Sequence, residues 1–395
     1  MPLSRVLLSL STVVLLLTPA ISRGAEPAPA KLESIDDQAR YLAGLPVAEG
    51  SPLKELEKSP EWQDYSKNLE ADWARLRERR LDQMIAWSTK ELQPQIDPKA
   101  NLFYVFGGPD LVSVAALYPE APVYILCGLE PVGQVPQLTS LRKPLLDRAM
   151  GNLRRTLNTT VRASFFKTMD MAGDLTRTEL RGVMPLLYLF AARSDARLID
   201  MHMLEIDDAG NPKELGAGEK VGSGIPAARL RIQRKGMEKP QEIYYVRLNV
   251  ENSMLEHTPG FFAFLKHYAP ANSFFKAASF ILHDGKKFSK MRDFMLENTR
   301  TILQDDSGMP YEAMKPSNWS FALYGTYLRP LSPFGRHYQT DLAKAFKDGP
   351  VKELPFVTGY RHPGESNLLL AVRKPETKAA QTGGAPANPS ARAQH

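Results

Sequence analysis

The sequence predicts an α/β protein with an N-terminal helical segment and an antiparallel β insertion. Three observations predict it. Residues 103–130 run from an apolar strand through a Gly-Gly-Pro-Asp turn and a short apolar helix to a second strand ending in an acid, the order of a βαβ unit. From residue 261 onward, helical patterns again alternate with short apolar runs. Between 197 and 250 the hydrophobic period changes to two, which marks antiparallel strands with one wet face.

The chain opens Met1-Pro-Leu-Ser-Arg5, a basic start, followed by an apolar run from Val6 to Leu17 and then by Pro19 and small residues. That is the layout of a secretory signal peptide over residues 1–25, and the run is too short to cross a bilayer comfortably. The expectation is an exported protein, periplasmic or extracellular, with no stable membrane span after cleavage. Residues 26–95 then form an N-terminal linker and helical segment. Ser34 suits an N-cap. Trp62, Tyr65, Leu69, Trp73, Leu76 and Leu81 recur at helical spacing, a stripe that docks on the body of the protein. Together with Trp87 these aromatics also offer an alternative, a surface through which the N-terminal helices hold a protein partner.

An α/β domain is expected over 96–374, one large domain rather than two. After the βαβ unit come a helix over 140–157 and an apolar, buried segment over 183–192. Three strands follow at 198–206, 228–234 and 243–250, separated by turn segments that begin at Asp207 and Lys235. A helix over 261–267 and a strand or helix end at 279–283 come next. They lead to an amphipathic helix over 288–299 and a strand at 301–304. An apolar run at 319–324, a helix over 338–346 and a closing strand at 367–372 complete the domain. Residues 375–395 lack the apolar side chains a core needs and form a disordered tail.

Charge and cysteine usage narrow the function. Fifty Lys and Arg against 44 Asp and Glu leave a formal charge of +6, spread without a basic block, which argues against nucleic-acid binding. The single cysteine, Cys127, excludes an intramolecular disulfide; within an apolar run it reads as a buried hydrophobe.

Three constellations carry candidate chemistry. At the turn after the first strand, Gly107 and Gly108 let backbone approach a ligand, Gly108 is expected as N-cap, and Pro109 suits the first helical position. Asp110 there favours the helix dipole but repels a phosphate. Glu130 follows about twenty residues later, at the end of the second strand, where a ribose-binding acid stands in nucleotide sites. Gly107, Gly108, Asp110 and Glu130 are therefore the candidate cofactor-binding residues of a Rossmann-like sheet. The cofactor itself is left open. The second constellation, Asp305-Asp306-Ser307-Gly308, places paired carboxylates at a strand end, where they can share a proton or hold a divalent cation. Third, His283 precedes Asp284, and the same sheet edge could unite it with Asp305 and Asp306 as a catalytic set, with any metal unspecified. No His-x-x-x-His, His-Glu-x-x-His or Gly-x-Ser-x-Gly motif is present.

The layout from Phe103 to Glu130 resembles the first βαβ unit of class I methyltransferases, whose cofactor is S-adenosylmethionine, although no Gly-x-Gly follows the strand. Segments 106–110, 128–133, 302–311 and 366–370 resemble a group of uncharacterised secreted bacterial proteins. That resemblance carries no activity, but it implies that the four segments meet in one cleft. The expected function is binding of a small polar ligand in a degenerate nucleotide-type fold. The alternatives are a hydrolase using Asp305, Asp306 and His283, with or without a metal, and a periplasmic scaffold that binds partners.

Overall fold

The computed structural model describes residues 32–163, 179–362 and 364–375, without the side chains of 159–163. The signal-peptide segment and positions 376–395 of the expected tail lie outside the described residues. The strands in chain order are β1 (Leu102–Tyr104), β2 (Val123–Gly128), β3 (Ala196–Ile206), β4 (Pro212–Glu214), β5 (Ile225–Arg234) and β6 (Gln241–Arg247). They continue with β7 (Ala271–Phe275), β8 (Thr299–Gln304), β9 (Trp319–Gly325), β10 (Val351–Lys352) and β11 (Asn367–Arg373). All 11 join one mixed sheet in the order β10-β9-β11-β8-β7-β1-β2-β6-β5-β3-β4. The centre, β6-β2-β1-β7-β8, is parallel throughout. On one side β11 runs antiparallel between β8 and β9; on the other, β5, β3 and β4 continue antiparallel from β6.

The helices are α1 (Ile35–Leu42), α2 (Pro60–Leu76), α3 (Asp82–Trp87), α4 (Leu111–Leu117) and α5 (Lys143–Ala163). After them come α6 (Met184–Arg193), α7 (Asn252–Leu255), α8 (Gly260–His267), α9 (Ser289–Asn298) and α10 (Thr340–Asp348). Side chains alternate across a strand, so each strand feeds two cores. Leu102, Tyr104, Tyr124, Leu126 and Phe274 pack with α1 to α6, whereas Phe103, Ile125, Cys127 and Phe275 pack with α7 to α10. The result is three layers, with the N-terminal helices on one face of the sheet and the later helices on the other. Strands covered on both faces need apolar residues at every position, which is why β2 reads Val-Tyr-Ile-Leu-Cys.

Local chemistry explains the ends of the N-terminal elements. The Ser34 side chain caps α1 by accepting the Asp37 N–H at 3.0 Å. Ser59 caps α2 in the same way, with Pro60 at the first helical position. π-helical turns at Arg77–Leu81 and Ser88–Leu92 shift the buried face along this long helical run. The aromatic stripe is inward: Trp62, Trp73 and Trp87 are all buried, and Trp62 stacks on Tyr41 at 5.5 Å.

One expectation changes, and two features are new. Gly108 is not the N-cap of α4: Asp110 is, and its carboxylate accepts the Ser113 N–H at 3.1 Å. The 197–250 meander, expected as an antiparallel insertion within the one α/β domain, is continuous with the central sheet. Its third strand, β6, lies parallel against β2 and so belongs to the central sheet. Finally, Ala271–Phe275 forms β7, the strand between β1 and β8. Its sequence, Ala-Asn-Ser-Phe-Phe, does not announce a central strand.

Candidate functional site at the carboxyl edge of the sheet

The chain leaves β1 and β7 at the carboxyl edge, and the crossovers that follow go to opposite sides: β2 lies on one flank and β8 on the other. In open α/β sheets ligands bind where the strand order reverses in this way. The local sequence makes this edge close-packed. At Gly107 the Tyr104 ring occupies the space of a side chain, with ring carbon Cε1 2.1 Å from where a Cβ would stand. Gly108 is left-handed, with φ 56°. Its N–H donates to the Cys127 carbonyl at 2.9 Å, tying the turn to β2.

Asp110 then holds a buried ionic cluster. Its carboxylate accepts Lys276 Nζ at 2.6 Å and the Tyr104 hydroxyl at 3.1 Å, in addition to the Ser113 N–H. Lys276 also donates to Ser113 Oγ at 2.9 Å. Asp110, Ser113 and Lys276 are 2, 4 and 5 % exposed, so the pair is out of water on both sides. Burial holds the Lys276 ammonium below its usual range, with Asp110 opposing the shift. Burial likewise pushes the Tyr104 phenol far up, reinforced by Asp110. Arg80, in the first π-helical turn, is lowered to about 10 by burial while Asp110 supports its charge.

Glu130 closes the β2 side. Its Oε2 accepts the Tyr245 hydroxyl at 3.1 Å, and Gly128 leaves room for it beside Gly108. Gly107, Gly108, Asp110 and Glu130 therefore stand together around the turns after β1 and β2.

Asp305 and Asp306, after β8, are also buried. Asp305 accepts the Ala277 N–H at 2.8 Å, the Ser307 N–H at 3.0 Å and the Ser307 hydroxyl. Burial and the neighbouring Asp306 carboxylate push it up to about 6. Asp306 instead accepts from Arg361 at 3.1 Å and Asn367 at 3.2 Å, its ties to the segment before β11 and to the first residue of β11.

What Asp305 supports is the loop leaving β7. Ala277, Ser279 and Phe280 all adopt left-handed backbone, at φ 52°, 54° and 57°. Side chains with a Cβ pay for that conformation. Ser307 anchors the loop by accepting the Ala278 N–H on its hydroxyl and the Phe280 N–H on its carbonyl. The Tyr360 hydroxyl donates to the Ala277 carbonyl at 2.7 Å and bonds to Ser279 Oγ. Strain of this kind persists only where surrounding contacts over-determine it, and it gathers at functional sites.

His283 sits elsewhere. Its ring packs edge-on to Phe280 and His337, with centroids at 5.3 and 5.4 Å, and its Nε2 is buried without a partner among the described residues. Burial first, then His337 and Arg292, lower it to about 4. It lines a polar cleft of about 360 Å³ with Tyr311, Glu312, Arg336, His337 and Asp341. Among the described residues no hydrogen bond joins His283 to Asp305 or Asp306. Gln339, also lining the cleft, donates to the Asp306 carbonyl and accepts the Tyr311 N–H, which links the two places. No group of three or more His, Cys, Asp or Glu suited to a metal ion occurs among the described residues.

Sequence reasoning singled out the acids and missed the Asp110 partners Lys276, Ser113 and Tyr104, the nearby charge of Arg80, and Tyr360, which braces the loop after β7. The only signal for Lys276 was a charge set directly after Phe274-Phe275. The fold and this edge define an α/β protein with a buried, charged switch point. No family model, curated protein or solved structure matches the chain.

Proposed function

We propose that this chain is an exported protein that binds a small polar molecule at the carboxyl edge of a Rossmann-like sheet of methyltransferase-like order. Numbered by their sequence, the parallel strands β1, β2, β6, β7 and β8 stand 3-2-1-4-5, the doubly wound order. The antiparallel β11 wedged beside β8 supports the methyltransferase-like variant. Export rests on the N-terminal sequence pattern. The observation that carries the binding reading is the strained loop 277–280 beside the buried Lys276–Asp110 pair, at the switch point. Glu130 is the ligand-facing acid, and the glycine turn is where backbone meets the ligand. Lys276 and Asp305 hold the two walls in place.

The direct test is native mass spectrometry, with elemental analysis, of mature protein purified from its own export compartment. A stoichiometric small molecule that Glu130→Ala releases supports the reading. A bare protein of the expected mature mass sinks it.

The hydrolase reading draws on Asp305, whose raised carboxyl suits acid–base work near neutral pH. It requires His283 to swing from its cleft toward the Asp305-Asp306 turn. Hydrolysis abolished by both Asp305→Asn and His283→Gln, in variants that still fold, supports it. The scaffold reading has less to stand on, because its tryptophans are buried.

A further inference from the structure

Away from the switch point, the polar cleft of about 360 Å³ that His283 lines is formed where three segments meet. They are the turn at Ile281–His283, the turn at Tyr311–Ala313 after β8, and the stretch from Arg336 into the first turn of α10. Of its ten lining residues only Pro310 lacks a polar side-chain atom.

Part of this lining is fixed in place. The Gln339 side chain accepts the Tyr311 N–H at 2.8 Å and donates to the Asp306 carbonyl at 3.0 Å, while its backbone N–H donates to the Tyr327 hydroxyl at 2.9 Å. His337 lies flat on Phe280 with centroids 5.2 Å apart, and its Nε2 accepts from Arg336 Nε at 3.1 Å. Two tyrosine rings are each backed by another ring, Tyr311 by Phe321 at 5.1 Å and Tyr338 by Tyr327 at 5.9 Å. Tyr338 is nevertheless 45 % exposed.

The charged groups are free. Glu312 and Asp341 form no ion pair or hydrogen bond among the described residues, and Arg336 meets no carboxylate there. Carboxylates only accept and a guanidinium only donates. A simple anion would answer Arg336 and face two like charges; a simple cation would answer the acids and face Arg336. A hydroxyl both donates and accepts, so a neutral polyol satisfies both kinds of group at once. A pyranose adds what a small zwitterion lacks, an apolar C–H face that packs on a tyrosine ring. Size agrees. At roughly 25 Å³ per heavy atom, as for benzene in a cavity of about 150 Å³, the cleft takes about 14 heavy atoms, one sugar ring with its substituents.

We propose that the cleft binds one pyranose ring of a neutral oligosaccharide, with hydroxyls on Glu312, Asp341 and Arg336 and a C–H face on Tyr338. Groups already held in position lower the ordering cost of such binding. The cleft shares no residue with the switch-point site, so either reading can fail alone.

The test is a ligand-observed NMR titration of the full chain with maltose, cellobiose and di-N-acetylchitobiose, and with glycylglycine as a zwitterion without hydroxyls. At least one disaccharide saturates with a Kd of about 1 mM or tighter, and glycylglycine does not. Tyr338→Ala weakens that sugar by about fivefold or more, whereas Tyr338→Phe, which keeps the ring, stays within about twofold. Glu312→Ala weakens it by about tenfold, as loss of a charge-assisted hydrogen bond requires. Both positions are exposed, so the variants keep the fold. Failure of all three disaccharides to saturate by about 20 mM overturns the proposal. Sugar binding indifferent to both Tyr338→Ala and Glu312→Ala overturns it too, as does glycylglycine binding as tightly as the best sugar.

Discussion

At the scale of single residues, the Lys276–Asp110 pair makes the sharpest demand on stability. Two ions this deep are held by each other, so removing one leaves the other charged in a place water does not reach. Lys276→Met is expected to cost about 3–5 kcal/mol in urea unfolding. Adding Asp110→Asn, which keeps the cap on α4, should recover at least ~1 kcal/mol, because it removes the orphaned charge. A double variant as unstable as the sum of the singles would show that the two do not act as a pair. Asp305 and His283 give opposite pH signatures over nearly the same range. Asp305 is raised from about 3.9 to about 6, so the folded state binds the extra proton. The stability it contributes is present below pH 4 and is lost as pH rises through 6. His283 is lowered to about 4, so its contribution is present above pH 6.5 and is lost as pH falls through 4. Urea melts between pH 4 and 7 separate them. The advantage of wild type over Asp305→Asn shrinks as pH rises, and its advantage over His283→Gln grows. Parallel curves for all three proteins would refute both assignments. Asp305 and Asp306 stood out in the sequence because acids before a Ser-Gly turn are conspicuous. Lys276 did not, since a lysine after two phenylalanines reads as the wet end of a strand.

At the scale of elements, β7 and its loop hold what was hardest to read. The sequence Ala271-Asn-Ser-Phe-Phe275 carries two polar residues in a run too short for a clear period, yet Asn272 and Ser273 are completely buried. Their partners come from far along the chain. Thr301 donates to Asn272 at 2.7 Å, Asn272 donates to the Asp97 carbonyl at 2.9 Å, and Ser273 donates to the Thr301 carbonyl at 2.9 Å. Periodicity ranks residues by polarity, and polarity misleads where a distant strand satisfies each group. The helices of the N-terminal segment were legible for the opposite reason: their signals, a serine cap and a stripe at helical spacing, are local. The loop after β7 makes its own prediction. Glycine accepts φ 52° freely, so Ala277→Gly should relieve strain by about 1–2 kcal/mol while loosening the unfolded chain by somewhat less. The expected outcome is a melting temperature unchanged or slightly raised, together with weaker retention of the molecule that Glu130 helps hold. A clear loss of stability would mean that Ala277 is not strained at all.

At the scale of the whole molecule, the question is whether 11 strands behave as one cooperative body. The change to period two over 197–250 suggested an inserted unit, because an alternating strand reads as the edge of something half-exposed. In the fold, only the outer strands have that character. β6 is antiparallel to β5 on one side and parallel to β2 on the other, a double role that no strand-by-strand reading can reveal, since pairing partners are set by the topology. The register is also deep: Val123 through Gly128 pair with Glu242 through Arg247 without a break. Gln241 reinforces the seam, donating to the Ala121 carbonyl at 2.8 Å and to the Pro119 carbonyl at 2.9 Å, with its side chain completely buried. Continuity of this kind predicts a pattern of amide exchange. Amides of β1, β2, β6, β7 and β8 should exchange only through global unfolding, and those of β5 should follow with nearly the same free energy. The edges should open far more easily: β4 is three exposed residues and β10 two, both with lysines that discourage pairing with other chains. Hydrogen-exchange mass spectrometry across a denaturant series reads this directly. If β3 and β5 opened together well before β2, they would be a separate foldon after all, and the seam between β2 and β6 would be an interface between two folding units rather than the middle of one sheet.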